Sequence, residues 1–149
     1  MIILKNLFHF NLPVTEMLEI YGLYIISVVE QACVVWSSSL TKEEQLDLER
    51  VQKVALRIIL QEHYIITYLH VLKMAGQPTI KARRNKLSLY FARNCLKNEM
   101  TGDMFPRSSD LVNTRKHEDF IVPYARTERL AKSALPHIAR QLNANAQCL

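Results

Sequence analysis

The stretch TKEEQLDLERVQKVALRIIL, Thr41 to Leu60, decides the fold class. Thr41 followed three residues later by Glu44 is a capping box, in which hydroxyl and carboxylate each accept a backbone N–H at a helix start. Leu48, Val51, Ala55 and Ile58 then recur at helical spacing, which predicts a helix up to about Leu60 with those four inward. Glu43, Glu44, Asp47 and Glu49 crowd its start while Arg50, Lys53 and Arg57 lie nearer its end, as the helix dipole favours. Glu49 and Lys53 stand as an i,i+4 pair, so Arg50 and Lys53 are expected on a solvated, self-paired face. Arg57 lacks an acidic neighbour of this kind and is the best candidate of the three for tracking a phosphate backbone.

Working outward, the same patterning predicts three more long or short helices and a late fifth. Thr15 to Trp36 reads as one helix, broken by Ser37, Ser38 and Ser39. A short helix from Thr67 to Ala75 is closed by Gly76 and Pro78. Thr79 caps a long helix to about Asn98, with Ile80, Leu87, Phe91 and Cys95 inward. From Glu99 to Ala125 the pattern is lost and Gly102, Pro106 and Pro123 intervene, so an extended, surface-hugging segment is expected. A last helix begins near Ser133, with Pro136 in its first turn, where a missing N–H is no loss. The expected fold is all-α, a small bundle of four to five helices. Residues 1–98 form a helical region, and 99–149 an irregular basic segment and C-terminal helix within one structural unit.

With 149 residues, 49% hydrophobic and only three glycines, the composition is globular. Residues 1–75 hold six Lys and Arg against eight Asp and Glu, whereas residues 76–149 hold thirteen against six. A one-sided positive field of this kind suits nucleic acid, an anionic membrane surface or an acidic protein. Cys33, Cys95 and Cys148 are odd in number and widely spaced, which argues against a disulfide framework or structural zinc and for a reducing intracellular compartment, nucleus or cytoplasm. Met17 to Trp36 would match a bilayer in length, but Glu19, Glu30 and Gln31 interrupt it, so no membrane span is expected.

No glycine-rich phosphate loop, HExxH or adjacent aspartate pair is present, so no catalytic residue, cofactor, metal or small-molecule substrate is assigned. His9, His63, His70, His117 and His137 are scattered and read as surface or packed histidines. The Thr79–Asn98 helix differs in carrying Lys81, Arg83, Arg84, Lys86, Arg93 and Lys97 without a single acid. Four of these crowd the first two turns, where the dipole disfavours cations. Two readings stay open: an anion docks at the helix start, or the heads pair with acids from the first half of the chain. Tyr21, Tyr24, Tyr64, Tyr68, Tyr90 and Phe91 could stack on bases, but at helical spacing they read rather as packed aromatics, and Trp36 as a packing anchor. Beyond them, Arg115, Lys116, Arg126 and Arg129 lie on the irregular stretch, diluted by Glu118, Asp119 and Glu128.

The runs YGLYIISVVEQACVVWSSSLT, DLERVQKVALRIIL, PTIKARRNKLSLYFARNCLKN, MFP, NTRK and ARTERLAKSALPHIARQLN resemble, in this order, the C-terminal region of reverse transcriptases from LINE-type, jockey-like non-LTR retrotransposons. The resemblance extends from about Leu7 to Asn143. It implies the helical thumb and downstream tail that follow the palm and its catalytic aspartates, a region that helps hold template and primer. On that basis Arg57, Lys81, Arg83, Arg84, Lys86, Arg93, Lys97, Arg126 and Arg129 become candidate contacts to an RNA or DNA template–primer, without sequence specificity. The chain departs from the family at Ile26, commonly arginine, and at Ser37, often histidine. Endonuclease, fingers and palm are missing, so the expectation is a non-catalytic fragment of an RNA-directed DNA polymerase. The alternative is a helical structural or interaction piece that docks against the missing palm and does not bind nucleic acid by itself.

Overall fold

A computed structural model describes residues 2–61, 67–108 and 119–146. The chain is all-α: about three quarters helical, with no strand among the described residues. Its helices are α1 (Ile2–His9), α2 (Val14–Ile20), α3 (Ser27–Glu30), α4 (Cys33–Trp36), α5 (Lys42–Leu60), α6 (Tyr68–Ala75), α7 (Ile80–Lys97), α8 (Glu128–Ala131) and α9 (Ala134–Ala146). The chain divides into two compact units: Met1–Gln31 with Thr41–Arg83, and Ala32–Leu40 with Arg84–Leu149. The division falls inside α7. His63, Tyr64, Arg115, Lys116, His117 and Cys148 lie outside the described residues.

In the first unit, α5 carries the expected capping box. Thr41 Oγ1 accepts the Glu44 N–H at 3.3 Å while Glu44 accepts the Thr41 N–H at 2.8 Å. The Thr41 N–H and the Thr41 hydroxyl, both donating to the Glu44 carboxylate, hold it below its usual range. The buried face of α5 is Gln52, Ala55, Leu56 and Ile59, whereas Val51 is exposed and Leu48 and Ile58 are half-buried. The apolar stripe is thus rotated by about 70° from the one predicted, at 100° per residue. Gln52 explains the shift. Fully buried, its amide donates to the Pro78 carbonyl at 3.0 Å and its Oε1 lies 2.7 Å from the Tyr68 hydroxyl.

The predicted helix from Thr15 to Trp36 is not continuous. Tyr21–Ile26 is a π-helix between α2 and α3, and its five-residue spacing keeps both Tyr21 and Ile26 buried below Met17. The helix stops at Glu30, and Ala32 takes the left-handed conformation at φ 50°. Met17, Tyr21 and Ile26 pack with Leu4, Leu56, Ile59, Val71, Leu72 and Ile80 into one core. α6 ends as predicted at Gly76, whose φ of +61° belongs to the left-handed region. No heavy atom lies within 4 Å of a Cβ placed there. Gly76→Ala is therefore expected to cost about 1 kcal/mol from backbone strain alone, read as a shifted denaturant midpoint with unchanged slope.

Burial raises the hydroxyls of Tyr21 and Tyr68 well above the ordinary 10.0, and a hydrogen bond to Glu49 adds to the effect at Tyr68. A raised folded-state value contributes stability that is complete below the unfolded value and is lost as pH climbs toward the folded one. Stability is accordingly expected to fall as pH rises above about 10. Two of the six tyrosines should then ionise only as the chain unfolds, which tyrosinate absorbance followed beside circular dichroism will check. Ionisation of all described tyrosines ahead of unfolding is the contrary outcome.

In the second unit, Ala92, Cys95, Phe105, Ile138, Ala139 and Leu142 form the core, with Val34, Leu89 and Phe120 against it. The described parts of the segment after α7 are irregular as expected and are pinned at defined points. A 3₁₀ turn spans Gly102–Met104, Phe105 is buried, and Arg107 and Phe120 form an isolated antiparallel bridge. Asn143 on α9 clamps Phe120, donating to its carbonyl and accepting its N–H, each at 2.9 Å. Thr127 caps the short α8, which sequence patterning missed. α9 starts next to the predicted Ser133 and buries Pro136, Ile138, Ala139 and Leu142.

Candidate nucleic-acid interface

The expected cations fall into three groups. The first is drawn into the fold. Arg83 donates through Nε to Glu30 and through Nη2 at 3.2 Å, so the pairing with first-half acids describes this residue. The same contact raises the Arg83 guanidinium above its usual value. Arg84 is 2% exposed in the second unit, with its guanidinium 5.7 Å from the centroid of the Trp36 ring. A residue so enclosed cannot reach a phosphate, so the expectation of a backbone contact at Arg84 is withdrawn in favour of a cation–π anchor. Arg57 is half-buried and already engaged within the fold.

The start of α7 is equally occupied. The Glu49 carboxylate accepts the Lys81 N–H at 2.9 Å and the Ile80 N–H at 3.4 Å, and Thr79 Oγ1 accepts the Ala82 N–H at 3.2 Å. Three of the four free donors of the first turn, those of Ile80, Lys81 and Ala82, thus have partners. The anion that offsets the N-terminal cations is therefore a side chain of the protein, and the reading of an external phosphate at this terminus is corrected. Glu49 consequently does not serve the expected pair with Lys53. Arg50 is paired with Asp47 at 2.6 Å, both exposed, in keeping with a solvated face.

The second group lies along α7 in the second unit. Lys86, Arg93 and Lys97 are exposed, and none makes an ion pair with any described residue. Together with Tyr90 they recur at spacings of four, three and four, which places them on one face over about 16 Å of helix. The opposite face, Arg84, Ser88, Ala92 and Cys95, is the buried one. Leu87 is half-buried and Phe91 is 38% exposed, so the predicted inward set holds only at Ile80 and Cys95. Tyr90, expected in the core, is 65% exposed at the centre of the basic face. Sequence reading allowed it as a base-stacking side chain but favoured the core, although its phase relative to Lys86 and Arg93 carried the signal.

The third group is dispersed. Lys81 is exposed in the first unit, and Arg126 and Arg129 are exposed around α8 in the second, where Glu128 is held below its usual range by Lys132. His137 on α9 is half-buried, and burial pushes its imidazole below its ordinary value. Gln141 lies beside it and also donates to Asn85 at 3.2 Å. Among the described residues no cluster of His, Cys, Asp and Glu is arranged to hold a metal ion, and no single helix is long and apolar enough to cross a membrane. No family model, curated protein or solved structure matches the chain.

Proposed function

We propose that this chain is a non-catalytic, intracellular nucleic-acid-binding piece of a reverse transcriptase, holding template and primer through backbone phosphates without reading sequence. The observation that carries the reading is the acid-free face of Lys86, Arg93 and Lys97. Arg93 and Lys97 stand four apart with no compensating carboxylate on the helix, an arrangement that costs an isolated helix about 0.2 to 0.5 kcal/mol. Stability alone does not select such a face, and a polyanion reverses the sign of the interaction. The resemblance to the thumb and tail of non-LTR retrotransposon polymerases supports the same assignment. Binding of the purified chain to a primed RNA or DNA template, measured across a salt series, tests it. Affinity that falls steeply with salt is expected, and absent or salt-indifferent binding overturns the proposal.

A second reading has its own observation. Leu23 and Tyr24 are each 70% exposed and Val28 is 67% exposed on the N-terminal helices of the first unit. Apolar exposure of this kind suits docking against another protein surface, such as the palm that the resemblance places before this region. Concentration-dependent self-association in sedimentation, without template binding, is the outcome that favours this alternative.

A further inference from the structure

We propose that Tyr90 is a stacking platform for an unpaired base, so that this face of α7 takes single-stranded nucleic acid in preference to a blunt duplex. The inference rests on the reading of that face as a phosphate-binding surface and adds to it the form of the ligand. Tyr90 is 65% exposed, one helical turn after Lys86 and one turn before Arg93. No cation or ring of a described residue lies over it; the guanidinium above an aromatic ring in this unit is Arg84 on Trp36. The tyrosine therefore presents a ring to solvent with charges that hold a phosphate backbone on either side.

Cations that track a backbone and an aromatic ring that meets bases are the two components of single-strand recognition. A duplex satisfies only the first. Its bases are stacked on one another and offer edges in the grooves, not faces, so the Tyr90 ring has no partner there. Burying the ring against a base also removes a large apolar area from water, which phosphate contacts alone leave exposed. The occupant chosen by this combination is a flexible strand, such as a template overhang beyond a primer terminus. An acidic peptide or an anionic bilayer matches the charge and gives the ring no comparable π-face.

The test compares the full chain with its Tyr90→Leu, Tyr90→Phe and Tyr90→Trp variants on a single strand and on a blunt duplex of the same sequence and length. Circular dichroism verifies that each exposed-site variant stays folded. Tyr90→Leu is expected to lose about tenfold or more in single-strand affinity, with duplex affinity and the salt dependence unchanged. Tyr90→Phe retains single-strand affinity, and Tyr90→Trp adds a fluorescence signal, beyond that of Trp36, that the single strand quenches. Equal effects of Tyr90→Leu on both ligands, or none on either, overturn the stacking role while leaving phosphate binding intact. If the unmodified chain binds neither nucleic acid, or binds only an acidic peptide or anionic vesicles, the parent reading fails and this one with it.

Discussion

Replacing Lys86, Arg93 and Lys97 together with alanine is expected to lower affinity for a primed template about a hundredfold or more near 0.1 M salt. The slope of log affinity against log salt should flatten by about 2 for a single strand and nearer 3 for a duplex. Each phosphate neutralised by a cation releases condensed counterions, so each contact removed takes about 0.7 to 0.9 from the slope. The three side chains are exposed and without ion-pair partners among the described residues. The fold should therefore be unharmed, and relief of the Arg93–Lys97 repulsion stabilises the helix slightly. Arg84→Met provides the contrast. Arg84 is enclosed with Trp36, so its loss should lower stability and leave the salt slope of the folded protein alone. A triple variant with an unchanged slope would remove α7 from the interface and shift the search to Arg126 and Arg129.

The fold was legible wherever the signals acted locally on the backbone. Thr41 and Glu44, Gly76 and Pro136 each constrain the backbone through a cap, a left-handed residue or a missing N–H, and each marks a helix end where expected. What patterning misjudged was which face is buried. On α5 and α7 the inward stripe contains a polar residue, Gln52 in one and Arg84 in the other. Counting apolar positions rotates both helices away from their true orientation, because a buried polar group is paid for by partners distant in sequence, here Pro78 and Tyr68 for Gln52 and Trp36 for Arg84. The break at Ala32 was hidden for a different reason: a π segment and a left-handed alanine carry no compositional mark in an otherwise apolar run.

The site suffered the same limitation in mirror image. The charge asymmetry drew attention to α7, with six cations and no acid, yet the number of cations overstated the surface they make. Sequence spacing could not show that Arg83 spends its charge on Glu30, that Arg84 is interior, or that Glu49 closes the helix start. Once these are removed, the remaining cations fall on a single phase of the helix with Tyr90 between them. The face is smaller than the sequence suggested and more sharply defined, which makes its contribution separable by mutation.

Glu49→Ala is expected to destabilise the first unit by about 3 kcal/mol, with a fall in melting temperature on the order of 10 °C. One carboxylate accepts the Lys81 and Ile80 N–H groups of α7 and the Tyr68 hydroxyl of α6, so three helices meet at this side chain of α5. Hydrogen bonds to a charged acceptor are worth about 1.5 to 3 kcal/mol each, but the losses do not add fully. Tyr68 retains Gln52, and water can reach the Lys81 amide, which belongs to an exposed residue. Glu49→Gln keeps an acceptor oxygen and loses the charge at the positive end of the α7 dipole, so a smaller cost of about 1 to 2 kcal/mol is expected. Lys53→Ala should stay within about 0.5 kcal/mol of the parent, since Glu49 is committed elsewhere. Removing the carboxylate also uncovers free N–H donors beside Lys81, so added phosphate or sulfate should stabilise Glu49→Ala by more than it stabilises the parent. A Glu49→Ala protein as stable as the parent, or rescued no better than it by the anion, would mean that the helix start is not held by this residue.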